Sequence, residues 1–228
     1  KSLLSINLLM TTEQNYLTDI KSLLISTGLE KLSGSLIYSG NSTLQKGNIY
    51  FLGQNPGGNA DMYPDDSIMN QLINSNEFNE YLEGKWNGHL GKRHQINIIE
   101  MFKDLEIDIK KTFSTNLSFI RSGDTEAYKR NLNEDYKIFW PIHEYCLSIV
   151  KPKIILSNGS QAKDFISKKL INKTDNEEFI FEDKYRGRRM KCYSVSGLLP
   201  IPDNVLKVKL LSIFHLSKWE YSQYRSGI

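Results

Sequence analysis

The stretch "YFLGQNPGG", Tyr50–Gly58, decides the reading of this chain. Apolar residues stop at Gly53, and Gln54-Asn55-Pro56-Gly57-Gly58 follows with no large apolar side chain to bury. Such a run, cut off by glycine and proline, reads as a short buried strand that delivers a loop. Polar amides at the mouth of a strand stand where open α/β sheets bind ligands, beyond the carboxyl ends of the strands.

Working outward, "NIYFLG" (48–53), "FSTNLSFI" (113–120), "KIIL" (153–156) and "VKLLSIF" (208–214) read as strands. "FIFEDKYRGRRMKCYSV" (179–195) reads as a hairpin turning near Arg186-Gly187. Between them lie helical patterns. One follows a capping box at Thr11–Gln14 and carries Leu17, Ile20, Leu23 and Leu24 before Gly28. Others span Ser67–Leu82, residues 96–105, Asp124–Val150 and Gln161–Ile171. Pro141 begins a fresh helix inside the fourth or kinks it. Strands alternating with helices predict a three-layer α/β/α fold, with a central, mostly parallel four-stranded sheet and a small hairpin.

With 228 residues and no repeat, low-complexity tract or Pro/Gly linker, the expectation is a single domain over 1–228, with an N-terminal helical segment at 1–47. No run reaches the ~20 apolar residues of a membrane span. "LLSINLLM" (3–10) lacks a signal peptide's basic region and cleavage site, so a cytoplasmic protein is expected. Cys146 and Cys192 are read as reduced thiols. His89 and His94 lie in a basic loop with no further ligand pattern, and neither a metal nor another cofactor is expected. The net charge of +3 says little, but "KYRGRRMK" (184–191) and "GKRH" (91–94) concentrate positive charge at expected turns. That suits a polyanion as partner; solvated loops are the competing reading.

The polar residues at the strand ends carry a resemblance. "LGQNPGG" (52–58), "TNLSFIRS" (115–122), "KPKIILSNGSQA" (151–162) and "FHLS" (214–217) follow one another in the order and spacing of the uracil-DNA glycosylase superfamily. The first is similar to its Asn-Pro-Gly branch, which holds mismatch-specific and single-strand-selective uracil enzymes. The last departs from the family's His-Pro-Ser, with Leu216 in the proline's place. The iron–sulfur branches need four cysteines, and this chain has two. The resemblance spans about residues 48–222.

It implies hydrolysis of the N-glycosidic bond of a pyrimidine flipped out of DNA, by a protein acting as a monomer. Asn55 would hold the attacking water and His215 would hydrogen-bond the leaving base. Asn is a feeble base and adds no counter-charge to the sugar cation, so leaving-group stabilisation should carry more of the rate. Asn116, with a donor and an acceptor side by side, would read the base edge as uracil or cytosine. Gln54 and Tyr63 join it in the base pocket. Gly57 replaces the tyrosine that, in strictly uracil-specific relatives, blocks substituents on C5 of the base; a need for its backbone freedom is the other explanation.

Gly58, Gly159, Ser160 and Ser217 would approach phosphates, the helix-opening pair through backbone N–H groups. Arg186, Arg188 and Arg189 would follow the strand electrostatically. Leu216, Trp219 and Tyr221 are candidates for a wedge in the base stack. For each residue the plain structural role competes: a turn for Asn55, packing for His215, Asn116 and the wedge candidates. No Lys or terminal amine in these motifs could form a Schiff base, so the enzyme would be monofunctional. Uracil, mismatched thymine and a 5-modified pyrimidine stay open as substrates. With them stays the choice between DNA repair and antiviral defence through hydroxymethylated or glucosylated cytosine. A catalytically inactive DNA-binding module of the same fold is the rival from another class. A Rossmann-type cofactor enzyme lacks its glycine fingerprint here.

Overall fold

A computed structural model describes residues 16–58, 66–74, 77–86, 88–122, 132–182 and 189–217. Its strands are β1 (Ile49–Gly53), β2 (Phe113–Asn116), β3 (Ile154–Asn158), β4 (Ile171–Glu182), β5 (Arg189–Ile201) and β6 (Asn204–Ile213). Its helices are α1 (residues 16–26), α2 (Ile68–Asn74), α3 (Arg93–Asp104), α4 (Leu132–Val150) and α5 (Ser160–Lys169).

All six strands form one sheet in the order β2-β1-β3-β6-β5-β4. The first four run parallel; β5 and β4 are antiparallel additions. The α/β class holds, but the four-stranded sheet with a separate hairpin does not. The hairpin belongs to the sheet because β5 pairs with β6 from Tyr193↔Ser212 to Ile201↔Asn204. Val195 and Leu199 of β5 extend the same core. The glycine and prolines of "SGLLPIPD" (196–203) disguise this pairing in the sequence. Pro202-Asp203 makes the turn, with Asp203 at φ 59, and Pro200 sits opposite Val205 next to it.

Side-chain alternation sorts the core into two layers. Tyr50 and Leu52 of β1 face α1, α4 and α5, where Ile20, Leu24, Phe139, Leu147 and Ile166 are buried. Phe51 and Leu156 face α3, packing on Ile98, Met101 and Phe102. The short strands β1, β2 and β3 are buried almost throughout, as parallel strands covered on both faces must be.

Three boundaries differ from the sequence reading for local reasons. The Ser67–Leu82 helix stops at Asn74, because Asn79 Oδ1 accepts the N–H groups of Tyr81 and Leu82 and winds 79–84 into a turn. β2 ends at Asn116, where the N–H groups of Leu117 and Ser118 turn to the carbonyls of Gly53 and Gln54. Helix α4 runs unbroken through Pro141, whose ring lies on the exposed face. The capping box at Thr11–Gln14 lies outside the described residues.

Candidate functional site

Strand register builds the site. Gly53 lies beside Asn116 and, on the other side, next to Asn158, which pairs with Ile213. Alternation from Phe51 and Leu156 places Gly53, Asn116 and Asn158 on the α3 side of the sheet at its carboxyl edge. Two buried amides therefore flank a residue with no side chain. A Cβ on Gly53 would stand 2.1 Å from Asn116 Oδ1, so that glycine makes room for the Asn116 amide, whose oxygen lies over it as the floor of the hollow. Asn116 is 5% exposed, and its Nδ2 has no hydrogen-bond partner among the described residues. Gln54 Nε2 is buried at the same edge and is likewise without a partner; so is Ser157 Oγ, though on the opposite face of the sheet, beside Leu52. Buried polar groups in folded proteins are nearly always bonded, so unbonded donors at one edge mark a place for a ligand or ordered water.

The loop after β1 is stitched to the segment after β2. Ser122 N–H donates to Pro56 O, and Ser118 N–H to Gln54 O. Asn55 Nδ2 donates to Pro56 O at 2.9 Å and, more weakly, to Ser122 O at 3.4 Å. These bonds fix the amide's orientation and leave Oδ1 as its acceptor, with no partner among the described residues. Arg121 clamps the loop from the same segment, Nη1 donating to Gly57 O at 2.7 Å and Nη2 reaching Asp66 at 3.4 Å.

His215 follows β6. Ser217 donates to its Nδ1 through the backbone N–H (3.4 Å), and the Ser217 hydroxyl lies 2.7 Å from the same nitrogen. A neutral imidazole whose Nδ1 accepts carries its proton on Nε2, so His215 presents a donor. Its ring lies 5.2 Å from that of His94. Asn158 sets the second histidine: its Oδ1 accepts Leu216 N–H, so its Nδ2 donates to His94 Nε2 at 2.9 Å. His94 is thus the Nδ1–H tautomer. Burial, reinforced by His215, pushes its pKa down to about 3, and it stays neutral at physiological pH. A third histidine braces the edge from beneath. His143 donates from Nε2 to Leu117 O and accepts from the Tyr50 hydroxyl, tying β1 to the residue after Asn116.

Several sequence expectations change. Leu216 is fully buried, packed in the α3-side core, with its carbonyl accepting from Asn97; it cannot serve as a wedge from this position. Gly159 gives its N–H to Ile213 O, which leaves Ser160 alone for the phosphate role. Gly159 is needed for another reason: it sits at φ 103, with His215 Cδ2 3.0 Å from where its Cβ would be. Gly58 has φ 95, but Gly57 has neither a left-handed backbone nor any atom of the described residues within 4 Å of an added Cβ. Backbone freedom therefore does not explain Gly57, and no described residue fills the position. Ser217 bonds His215 rather than facing a free phosphate site. Arg189 opens β5 beyond the point where Tyr193 pairs with Ser212, so it projects on the side of the site. Tyr63, Arg186, Arg188, Trp219 and Tyr221 lie outside the described residues.

Sequence reasoning missed His94, Arg121 and Glu80. His94 was read as part of a basic loop, yet it opens α3 facing inward. Glu80 is carried by the turn at 79–84, and its Oε2 accepts from Trp86 Nε1 at 3.1 Å. No local pattern announces either residue, because both are placed by distant partners, Asn158 and Gln95.

Among the described residues no three His, Cys, Asp or Glu side chains gather as a metal site requires, and no helix is long and apolar enough to cross a membrane. A cleft of about 270 Å³, lined by Asn48, Glu106, Asp108 and Lys111 among others, opens at the opposite, amino-terminal ends of β1 and β2. It has none of the unpartnered donors of the carboxyl edge. No family model matches the chain, and no curated protein matches it in sequence.

Proposed function

We propose that this protein is a monofunctional DNA glycosylase of the uracil-DNA glycosylase kind, hydrolysing the bond between C1′ and N1 of a pyrimidine turned out of DNA. The observation that supports it most is the convergence of Asn55, Asn116 and His215 at one sheet edge, Asn55 and His215 oriented by bonds to the backbone or to a residue beside them and Asn116 buried with an unpartnered amide nitrogen. Preorganised donors and acceptors are what stabilise developing charge without reorganisation.

In this reading the base enters the hollow over Gly53, with its pairing edge toward Asn116. Asn55 Oδ1 accepts a hydrogen bond from a water below C1′. The water oxygen bonds to C1′ as the C1′–N1 electron pair departs with the base. His215 Nε2–H donates to the base carbonyl O2, where negative charge collects. The water's second proton passes to solvent and the base takes one up, so the net change is addition of one water. Asn55 is too weak a base to take that proton, and His94, with its low pKa, does not become an imidazolium at neutral pH. The Arg-bearing end of the β4–β5 hairpin supplies backbone contacts to DNA in a sequence-independent way.

Base release from oligonucleotides tests this. Asn55→Ala should lower release by about 10²–10³-fold, the typical effect of removing one preorganised polar group. His215→Ala should do the same with unchanged folding. DNA binding without release from any base would leave the fold as an inactive binding module.

A further inference from the structure

A nucleotide turned out of duplex DNA leaves a gap, and an apolar side chain inserted into the stack is one way to fill it. Leu216 is buried in the core and cannot do so. Another leucine stands at the carboxyl edge. Leu90 belongs to "GKWNGHLGKRH" (84–94), the stretch that leads into α3. One buried side chain closes the root of this loop. Gln95, 0% exposed, donates from Nε2 to Gly84 O (2.7 Å) and Glu80 O (3.0 Å), while its Oε1 accepts Lys92 N–H (3.0 Å). Residues 84 and 92 are thus tied to the same amide.

Within the loop, Trp86 Nε1 donates to Glu80 Oε2 at 3.1 Å, and the N–H groups of Gly88 and His89 donate to Lys85 O and Trp86 O. Beyond these bonds the tip stands clear of the protein. Gly88 and Gly91 have φ of 77 and 72, and no atom of the described residues lies within 4 Å of a Cβ built on either. Between them Leu90 is 59% exposed. A single exposed leucine is ordinary on a folded surface. Three things set this one apart. Its stem is fixed before any partner arrives, so docking it orders little chain. It also lies beside the proposed site. Trp86 packs its ring 5.6 Å from that of His94, which lies 5.2 Å from His215, and Leu90 precedes His94 by a span of at most about 14 Å. Finally, its surroundings are cationic: Lys85 and Arg93 are exposed and Lys92 is half-buried. The nearby carboxylates are engaged within their own turn, Glu80 with Trp86 and Glu83 with the N–H of Asn79.

We propose that the tip at Gly88–Arg93 enters double-stranded DNA, with Leu90 filling the space an extruded nucleotide leaves and Lys85, Lys92 and Arg93 holding the flanking phosphates. This rests on the reading of the carboxyl edge as a site for a flipped base, and it makes the duplex, rather than a single strand, the partner. An apolar tip suits the faces of stacked bases, and the cations around it suit the backbone on either side. Neither contact reads sequence, so the tip opens the stack and leaves the choice of base to the hollow.

The test reads insertion and chemistry separately. Insertion is measured by equilibrium binding to a duplex with a tetrahydrofuran abasic site, whose gap needs no base to be extruded, beside the intact duplex and the single strand. Chemistry is measured as base release from single- and double-stranded oligonucleotides carrying uracil, 5-hydroxymethyluracil, or plain or glucosylated 5-hydroxymethylcytosine. The wild type should prefer the abasic duplex. Leu90→Ala should lower that affinity and duplex release by about 10–100-fold, because holding a stack open is worth a few kcal/mol, and leave single-strand release within about twofold. Leu90→Met, of similar length, should restore both. No preference for the abasic duplex, or one that Leu90→Ala leaves unmoved, overturns the proposal; base release would then keep the glycosylase reading alone. Equal losses on duplex and single strand overturn it too, since they place Leu90 outside the stack. A preference that depends on Leu90, without release from any oligonucleotide, would sustain the proposal and sink the glycosylase reading. Neither preference nor release would sink both.

Discussion

The carboxyl edge of β2, β1, β3 and β6 and the β5–β4 flap belong to one sheet, yet they treat polar groups in opposite ways. At the edge, Asn116, Ser157 and Asn158 are buried to 5% exposure or less, with Asn79, Gln95 and Asn97 close behind them. On β4 every residue from 171 to 180 is exposed. Its pairing with β5 slips twice, near Thr174, with Asn172 and Asp175 in left-handed conformations. Bulges of this kind blunt an exposed strand edge. Burying an amide costs free energy unless it is bonded. Amide burial is thus concentrated at the carboxyl edge, while the flap buries only the small hydroxyl of Ser194 on β5 among its described residues.

That contrast can be broken at four places of decreasing expected effect. Gly34 is the first, because a Cβ there would lie 1.9 Å from the backbone oxygen of Phe119. Gly34→Ala should lower unfolding free energy by about 3 kcal/mol or more in a urea titration, since backbone must move. Gly57→Ala, with open space around it, should change it by less than about 0.5 kcal/mol.

Acid comes second. His143 is 1% exposed, and burial pushes its pKa down to about 4 against an ordinary 6.5. The unfolded chain therefore binds a proton that the folded one refuses. Stability is full above pH 6.5 and falls as pH drops toward 4, by on the order of 2–3 kcal/mol. His94 extends the loss toward pH 3. Denaturation of His143→Gln should show a shallower decline between pH 6.5 and 4; an unchanged slope would place the acid lability elsewhere.

Gly53→Ala comes third. The nearest atom is the end of the Asn116 side chain rather than backbone, so the fold should lose no more than about 1 kcal/mol, while base release in the oligonucleotide assay should fall sharply as Asn116 is displaced. Equal losses in release and stability would contradict that separation. The smallest effect belongs to the flap. Lys191 and Glu178 meet at 2.8 Å across β5 and β4 with both side chains well exposed. Lys191→Ala should cost less than about 0.5 kcal/mol, measurable only by a double-mutant cycle.

What the sequence made legible follows the same division. β1 and β3 are short apolar runs closed by Gly53 and opened by Lys151-Pro152, and such strands announce themselves. β4 does not, because "INKTDNEE" (171–178) has no buried face and so no alternation to read. The strand-end residues Asn55, Asn116 and His215 were legible because each follows a recognisable strand. Their partners were not. His94 reaches the edge from a helix start, fixed by a bond to Asn158 that spans many residues of chain, and the turn of Glu80 is held in the same way by Gln95. Leu216 shows the limit from the other direction: an apolar residue beside a strand-end histidine reads the same whether it points at a ligand or into the core.

Asn158 has a consequence of its own. One side chain serves Leu216 with its oxygen and His94 with its nitrogen, so the path of the chain into the His215 loop and the location of the His94 proton are written by the same amide. Exchanging that NH2 for an oxygen, as in Asn158→Asp, leaves no donor on the side chain for His94 Nε2. The imidazole must then move its proton to Nε2, which leaves a neutral ring beside a buried carboxylate, or take up a second proton, which makes an ion pair of a neutral edge. The edge thus has a direction, set atom by atom, and a change of one heavy atom reverses it without altering the shape of anything.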